Sequence, residues 1–291
     1  MADVTSMVSR AGWRRVMKPG GRILFGGGIL GLLLIAAIFA PLLAPHDPLE
    51  QDLMVSYLPP FWSAETDGLY PLGTDSLGRD ILSRLLYGAR VALTVAVVAA
   101  LLAGLLGTLL GLLAGYFGGW VDTVISRAVD IWMAFPPVLL SIVLVALIGT
   151  GLHAVIFAIV IIDWTRFCRV VRAEVMVQRE QDYVASAVTV GLSRWRTLFV
   201  EILPNVAPLL LVLFSLEMGI AVIVEAILSF VGLSVSSDMP TWGGLIQEGR
   251  LYVHQAWWLM VLPMACIILT VLGLNALGDG LREKLDPVMR R

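Results

Sequence analysis

Three carboxylates stand inside long apolar stretches: Asp163, Glu217 and Glu225. A charged group in hydrocarbon is costly, so such residues normally face the interior of a helix bundle or a water-filled path. Glu217 and Glu225 are eight residues apart and fall near one helical face. The expectation is that this face turns inward, with Glu217 nearest a polar path. The alternative is that each carboxylate pairs with an arginine or with backbone and serves packing alone. Asp163 and Arg166, three apart, have the spacing to pair with each other. Other chemistry finds no residues to carry it. The sequence holds no G-x-x-x-x-G-K-S/T phosphate loop, no HExxH and no GxSxG. Cys168 and Cys266 lie in or beside apolar segments without metal-like spacing and read as small buried hydrophobes. His46, His153 and His254 are scattered near the predicted helix ends. No catalytic residue, metal site or nucleic-acid contact is expected.

The elements that carry these groups follow from composition. The chain is 58% hydrophobic and 14% charged, with a mean hydropathy of +0.88. Soluble domains are near 45–50% apolar and about 25% charged, so the solvent here is lipid. Apolar segments of spanning length recur at about 23–43, 91–116, 132–149, 153–171, 206–233 and 257–277. Unpaired backbone is intolerable in hydrocarbon, so each is expected to be helical. The fold class is an all-α polytopic membrane protein with six spans. The first run, preceded by Arg10, Arg14, Arg15, Lys18 and Arg22, is too long for a signal peptide and reads as a retained helix. Only Gly149, Thr150 and Gly151 separate the third and fourth segments, which predicts a tight hairpin.

Lys and Arg concentrate in the N-terminal tail, around the link between the fourth and fifth spans, and in the C-terminal tail. Arg79, Arg84, Arg90 and Arg250 fall on the other side, so both termini are expected inside. The acidic stretch with Asp47, Glu50, Asp52, Glu65, Asp67 and Asp75 is then outside. The implied division is a tail at 1–22, a first helix at 23–43, an extracytoplasmic segment at 44–90, a core at 91–277 and a tail at 278–291. Gly107, Gly111 and Gly115 read either as a packing seam or as ordinary glycine content of a membrane helix.

The inner link, at about 172–205, is too patterned for a linker. Asp182 can cap a helix. Ala185, Ser186 and Ala187 keep one turn thin, and Gly191 permits a reversal at positive φ. Ser193 is expected to cap a second short helix holding Trp195 and Leu198. Pro204, after Leu203, suits the first turn of the next helix. The product is a helix–turn–helix along the membrane face, with a knuckle that fits a partner's groove.

This stretch resembles the EAA loop of type I ABC importer permeases: Glu-Ala-Ala, three residues, Gly, and later Leu-Pro. Ala187, Gly191, Leu203, Pro204 and Asn205 match. Ala185 stands at the Glu position, Ser186 at the first Ala, and Glu201 where relatives of the peptide class often carry His. Leu72-Gly73-Thr74-Asp75-Ser76-Leu77-Gly78-Arg79-Asp80, Glu225 to Leu233, Pro240-Thr241-Trp242-Gly243 and Gly278-Asp279-Gly280-Leu281-Arg282 with Leu285-Asp286-Pro287 resemble the C-type permeases for dipeptides, oligopeptides, nickel and glutathione.

The resemblance implies a non-enzymatic transport subunit of the bacterial inner membrane. It implies a homologous B-type permease partner, two ATP-binding subunits that use ATP and Mg, and an extracytoplasmic substrate-binding protein. It also assigns ATPase coupling to Asp182, Tyr183, Ala185, Ser186, Ala187, Gly191, Leu203 and Pro204, and no cofactor to this chain. The outer segment, in which Asp75, Arg79, Asp80 and Arg84 are expected to cluster, reads as a scaffold or as a docking surface. Trp242-Gly243-Gly244 reads as a re-entrant turn or an interfacial anchor.

Overall fold

The computed structural model describes residues 20–63, 68–233 and 239–285. The expectations on Arg10, Arg14, Arg15, Lys18, Glu65, Asp67, Asp286 and Pro287 lie outside these residues. Among the described residues the chain is all-α, with an isolated antiparallel bridge, Thr74 to Asp80, and no strand.

Helix α1 (Gly21–Ile38) ends at Phe39, and a short α2 (Ala40–Leu43) follows. The single segment expected at 23–43 therefore breaks, because Pro41 removes a backbone donor and crowds the preceding turn. Helix α3 (Ile81–Phe117) is the longest, with 37 residues. It starts well before the expected residue 91, because the Asp80 carboxylate accepts from Ser83 N at 2.8 Å and caps it. At 1.5 Å per residue it is about 55 Å long, against about 30 Å of hydrocarbon, so it is longer than one span needs.

Helices α4 (Gly119–Met133) and α5 (Pro137–Ile148) meet at an 88° bend. The straight span expected at 132–149 is corrected by this break. Pro137 biases Pro136 to extended backbone and leaves no donor to continue the ladder. The expected glycine hairpin is present: Gly149 (φ 105°) and Gly151 (φ 139°) turn the chain into α6 (Leu152–Arg179).

Helices α7 (Asp182–Thr189) and α8 (Arg194–Arg196) come next, and a wider, π-type turn at Thr197–Ile202 joins α8 to α9 (Leu203–Phe230). Ser193 caps α8 as expected, accepting from Arg196 N at 3.4 Å. Trp195 lies in this short helix, whereas Leu198 falls in the π-type turn that follows it. Helices α10 (Trp242–Gly249) and α11 (Trp258–Leu285) complete the chain.

Four helical runs are long and apolar enough to cross a membrane: Gly21–Ile38, Ile81–Phe117, Arg194–Phe230 and Trp258–Lys284. The bent α4–α5 pair makes a fifth if it counts as one span. Helix α6 is long, but Asp163, Arg166 and Arg169 interrupt its apolar run. It packs along α3. A Cβ on Gly111 would stand 2.7 Å from the Cys168 carbonyl oxygen, and one on Gly115 2.8 Å from that of Arg172. The glycine stripe is thus a packing seam, in which two backbones touch because no side chain keeps them apart.

Candidate functional site

The knuckle sits where α3 ends. Gln181, not Asp182, is the N-cap of α7; Asp182 occupies the first turn, where its charge favours the helix dipole. Val184 is 3% exposed and packs with Val175, Leu198 and Ile202, which roots the knuckle in the bundle. The Tyr183 hydroxyl donates to Gln178 Oε1 at 2.8 Å, and burial pushes this phenol above its ordinary pKa, so it stays a donor. Ala185 and Ser186 are exposed on the free face, and Ala187 is half-buried. The hydroxyls of Ser186 and Thr189 donate back to the carbonyls of Asp182 and Ala185, each at 2.8 Å.

Gly191 turns the chain at φ +90°, and a Cβ there would meet nothing within 4 Å. The glycine is required by backbone conformation and not by space. Leu192 N reaches the Ala187 carbonyl at 3.1 Å and closes the turn. Leu203 and Pro204 open α9 as expected, and Asn205 Nδ2 donates to the Glu201 carbonyl at 2.7 Å. No charged residue lies between 183 and 193, while Val188 and Val190 are 56% and 81% exposed. The tip therefore offers a partner shape and apolar surface.

The three intramembrane carboxylates are all buried. Glu225 Oε1 accepts from Ser229 Oγ, one turn on, at 2.5 Å. Glu217 and Asp163 share one guanidinium: Arg166 Nη1 lies 3.3 Å from Glu217 Oε2 and 4.0 Å from Asp163 Oδ1. The structure thus brings Asp163 and Glu217 together and leaves Glu225 apart. The exposed member is the arginine, whose side chain is 32% accessible while those carboxylates are at 5% and 4%. Beside this cluster a groove of about 730 Å³ runs between α6 and α9 toward the knuckle end, with Glu174, Gln178, Asn205 and Arg282 supplying polar groups.

At the opposite end a second ionic group ties the outer segment to α10. Asp75 receives Arg79 Nε at 2.7 Å and also pairs with Arg84. Glu248 completes it, 2.8 Å from both Arg79 and Arg84. The expected cluster of Asp75, Arg79 and Arg84 is real, but Asp80 serves as the α3 cap. Glu248 was not anticipated, since nothing local in the sequence links it to residues so far upstream. Trp242, 1% exposed, donates from Nε1 to the Leu85 carbonyl at 3.0 Å. It is a buried pin between α10 and α3 and not an exposed interfacial anchor.

The family described as binding-protein-dependent transport system inner membrane component matches residues 107–291, and the N-terminal TM domain of oligopeptide transport permease C matches residues 22–60. The di/tripeptide transport system permease protein DppC of Pseudomonas aeruginosa is 40% identical, over 91% of this chain and 88% of that one. The dipeptide transport system permease protein DppC of Escherichia coli K12 is 41% identical, over 91% and 90%. The glutathione transport system permease protein GsiD of Pectobacterium atrosepticum is 38% identical, over 96% and 90%. Among solved structures, an inward-facing MetNI methionine ABC transporter chain aligns with a TM-score of 0.59 at 16% identity, over 70% of this chain and 96% of that one. That likeness establishes the type I importer permease fold. On family match and relatives together, the chain belongs to the inner membrane components of binding-protein-dependent transport systems, as a permease subunit of an ABC importer.

Proposed function

We propose that this permease forms half of a translocation pathway for peptides and takes its drive from ATPases through the knuckle at 182–204. The observation that carries the coupling is the exposed α7 turn closed by Gly191 at φ +90°. It is a rigid, uncharged protrusion, anchored by Val184 and free on its outer face. Asp182, Tyr183, Ala185, Ser186, Ala187, Leu203 and Pro204 set its shape. Two ATP-binding subunits, which use ATP and Mg, grip it, and a homologous B-type permease supplies the other half of the pathway. An extracytoplasmic binding protein delivers the solute, and this chain binds no cofactor.

Six spans with both termini inside fit the distribution of Lys and Arg. They place the knuckle in the cytoplasm and the Asp75–Glu248 cluster outside, in a bacterial inner membrane. Asp163 and Glu217 line the pathway through the arginine they share, and Glu225 acts near its outer end. The peptide substrate rests on the relatives, which are named for dipeptide, tripeptide and glutathione transport. Uptake of a labelled dipeptide by host cells lacking the chain tests it. Loss of uptake, restored by the chain, supports the reading, and unchanged uptake removes the peptide. In the same cells a cysteine at Val190 should react with an impermeant thiol reagent only after the membrane is opened.

A further inference from the structure

The guanidinium of Arg166 is paired on one nitrogen only. Both of its acidic contacts, to Glu217 and to Asp163, are made by Nη1. Among the described residues, Nη2 and Nε have no hydrogen-bond or ion-pair partner. The side chain is 32% accessible midway along α6, within its membrane-spanning part on the reading above. An arginine at that depth does not face lipid; it faces water, a solute or protein.

The two neighbouring helices show what it faces. On α6, Val170, Glu174 and Gln178 follow Arg166 at every fourth residue and line the groove. On α9, Asn205, Leu209 and Leu213 do the same and lead to Glu217. The two rows run antiparallel, so the Arg166–Glu217 pair is the next rung beyond the residues that line the groove.

We propose that Arg166 presents its Nε–Nη2 edge to the translocation path and binds the carboxylate of the passing solute. Glu217 and Asp163 act as positioning residues: they fix Nη1 and turn the free edge outward. Two parallel N–H donors on one edge match the two oxygens of a carboxylate. The two acids outweigh the arginine's single charge, so the fork's directional hydrogen bonds and not net charge hold the carboxylate, and only briefly. A transport path needs such contacts, favourable enough to enter and weak enough to leave. The proposal rests on the transport reading above and adds a ligand group to it.

The test uses the complete transporter in detergent, nucleotide-free and without its binding protein. It is titrated with alanyl-alanine and with alanyl-alanine amide, which lacks the carboxylate. The expected result is tighter binding of the free acid, by about tenfold for a charge-assisted pair. Arg166→Gln should abolish that preference. Arg166→Lys keeps the charge without the fork and should retain only part of the preference; it carries the test if Arg166→Gln fails to assemble. Equal affinities in the wild type, or no binding of either, would overturn the proposal. So would a preference that survives both substitutions. Dipeptide uptake with the binding protein present is scored separately. Its absence would remove peptides as the natural cargo without touching the carboxylate preference.

Discussion

At the residue scale, Gly191 and Asp75 are held by different physics. Gly191 has open space around its Cα and a positive φ, so its replacement is penalised by backbone strain. Left-handed backbone costs a branched residue about 1–2 kcal/mol, enough to reshape an exposed turn without unfolding the bundle. Gly191→Val should therefore insert and assemble, keep hydrolysing ATP, and move about tenfold less solute per ATP if the turn's position is the coupling. Normal coupling in reconstituted vesicles would count heavily against the knuckle. Asp75 is 1% exposed between two arginines. Asp75→Asn keeps the shape and removes the charge, and breaking a buried pair costs about 3–5 kcal/mol. The variant should melt well below the wild type in detergent, and an unchanged midpoint would show that Glu248 alone suffices. Gly191 was legible in the sequence because its requirement is local, set by the thin turn before it. Glu248 was not, because its partners lie far upstream and only the folded chain brings them together.

At the scale of elements, the seam between α3 and α6 decides how the bundle packs. Gly111 faces backbone, whereas Gly104 faces the Phe167 ring, with a Cβ there standing 3.3 Å from it. A ring can tilt and a carbonyl cannot. Gly104→Ala should cost little, while Gly111→Val should cost about 3 kcal/mol or more by overpacking, read as a lower melting temperature and poorer recovery from membranes. Equal effects would mean that the seam relaxes as easily at both places. The glycine spacing was visible in the sequence, but spacing alone could not separate a seam from ordinary glycine content. The break between α4 and α5 did have a signal, the adjacent Pro136 and Pro137, but apolar residues continue on both sides of the pair. The early start of α3 escaped for another reason: Ser83 and Arg84 make its first turns look polar, yet both are buried in the folded chain.

For the whole molecule, apolar composition and length were enough to give an all-α membrane fold, since lipid allows so few alternatives. The order of the motifs gave the family. Helix ends and ion pairs came only with the fold, because they depend on caps, prolines and distant partners. The account makes this chain one part of a machine: it has a protrusion for a motor and no phosphate loop of its own. The most direct test is purification of the tagged chain from its host in mild detergent, with crosslinking through residues 183–195 and mass spectrometry of what accompanies it. The account predicts a homologous permease and one or two P-loop ATPases, with an ATPase crosslinked to the knuckle. A homogeneous protein with no ATPase, even after crosslinking, would contradict it and point to a transporter that works alone.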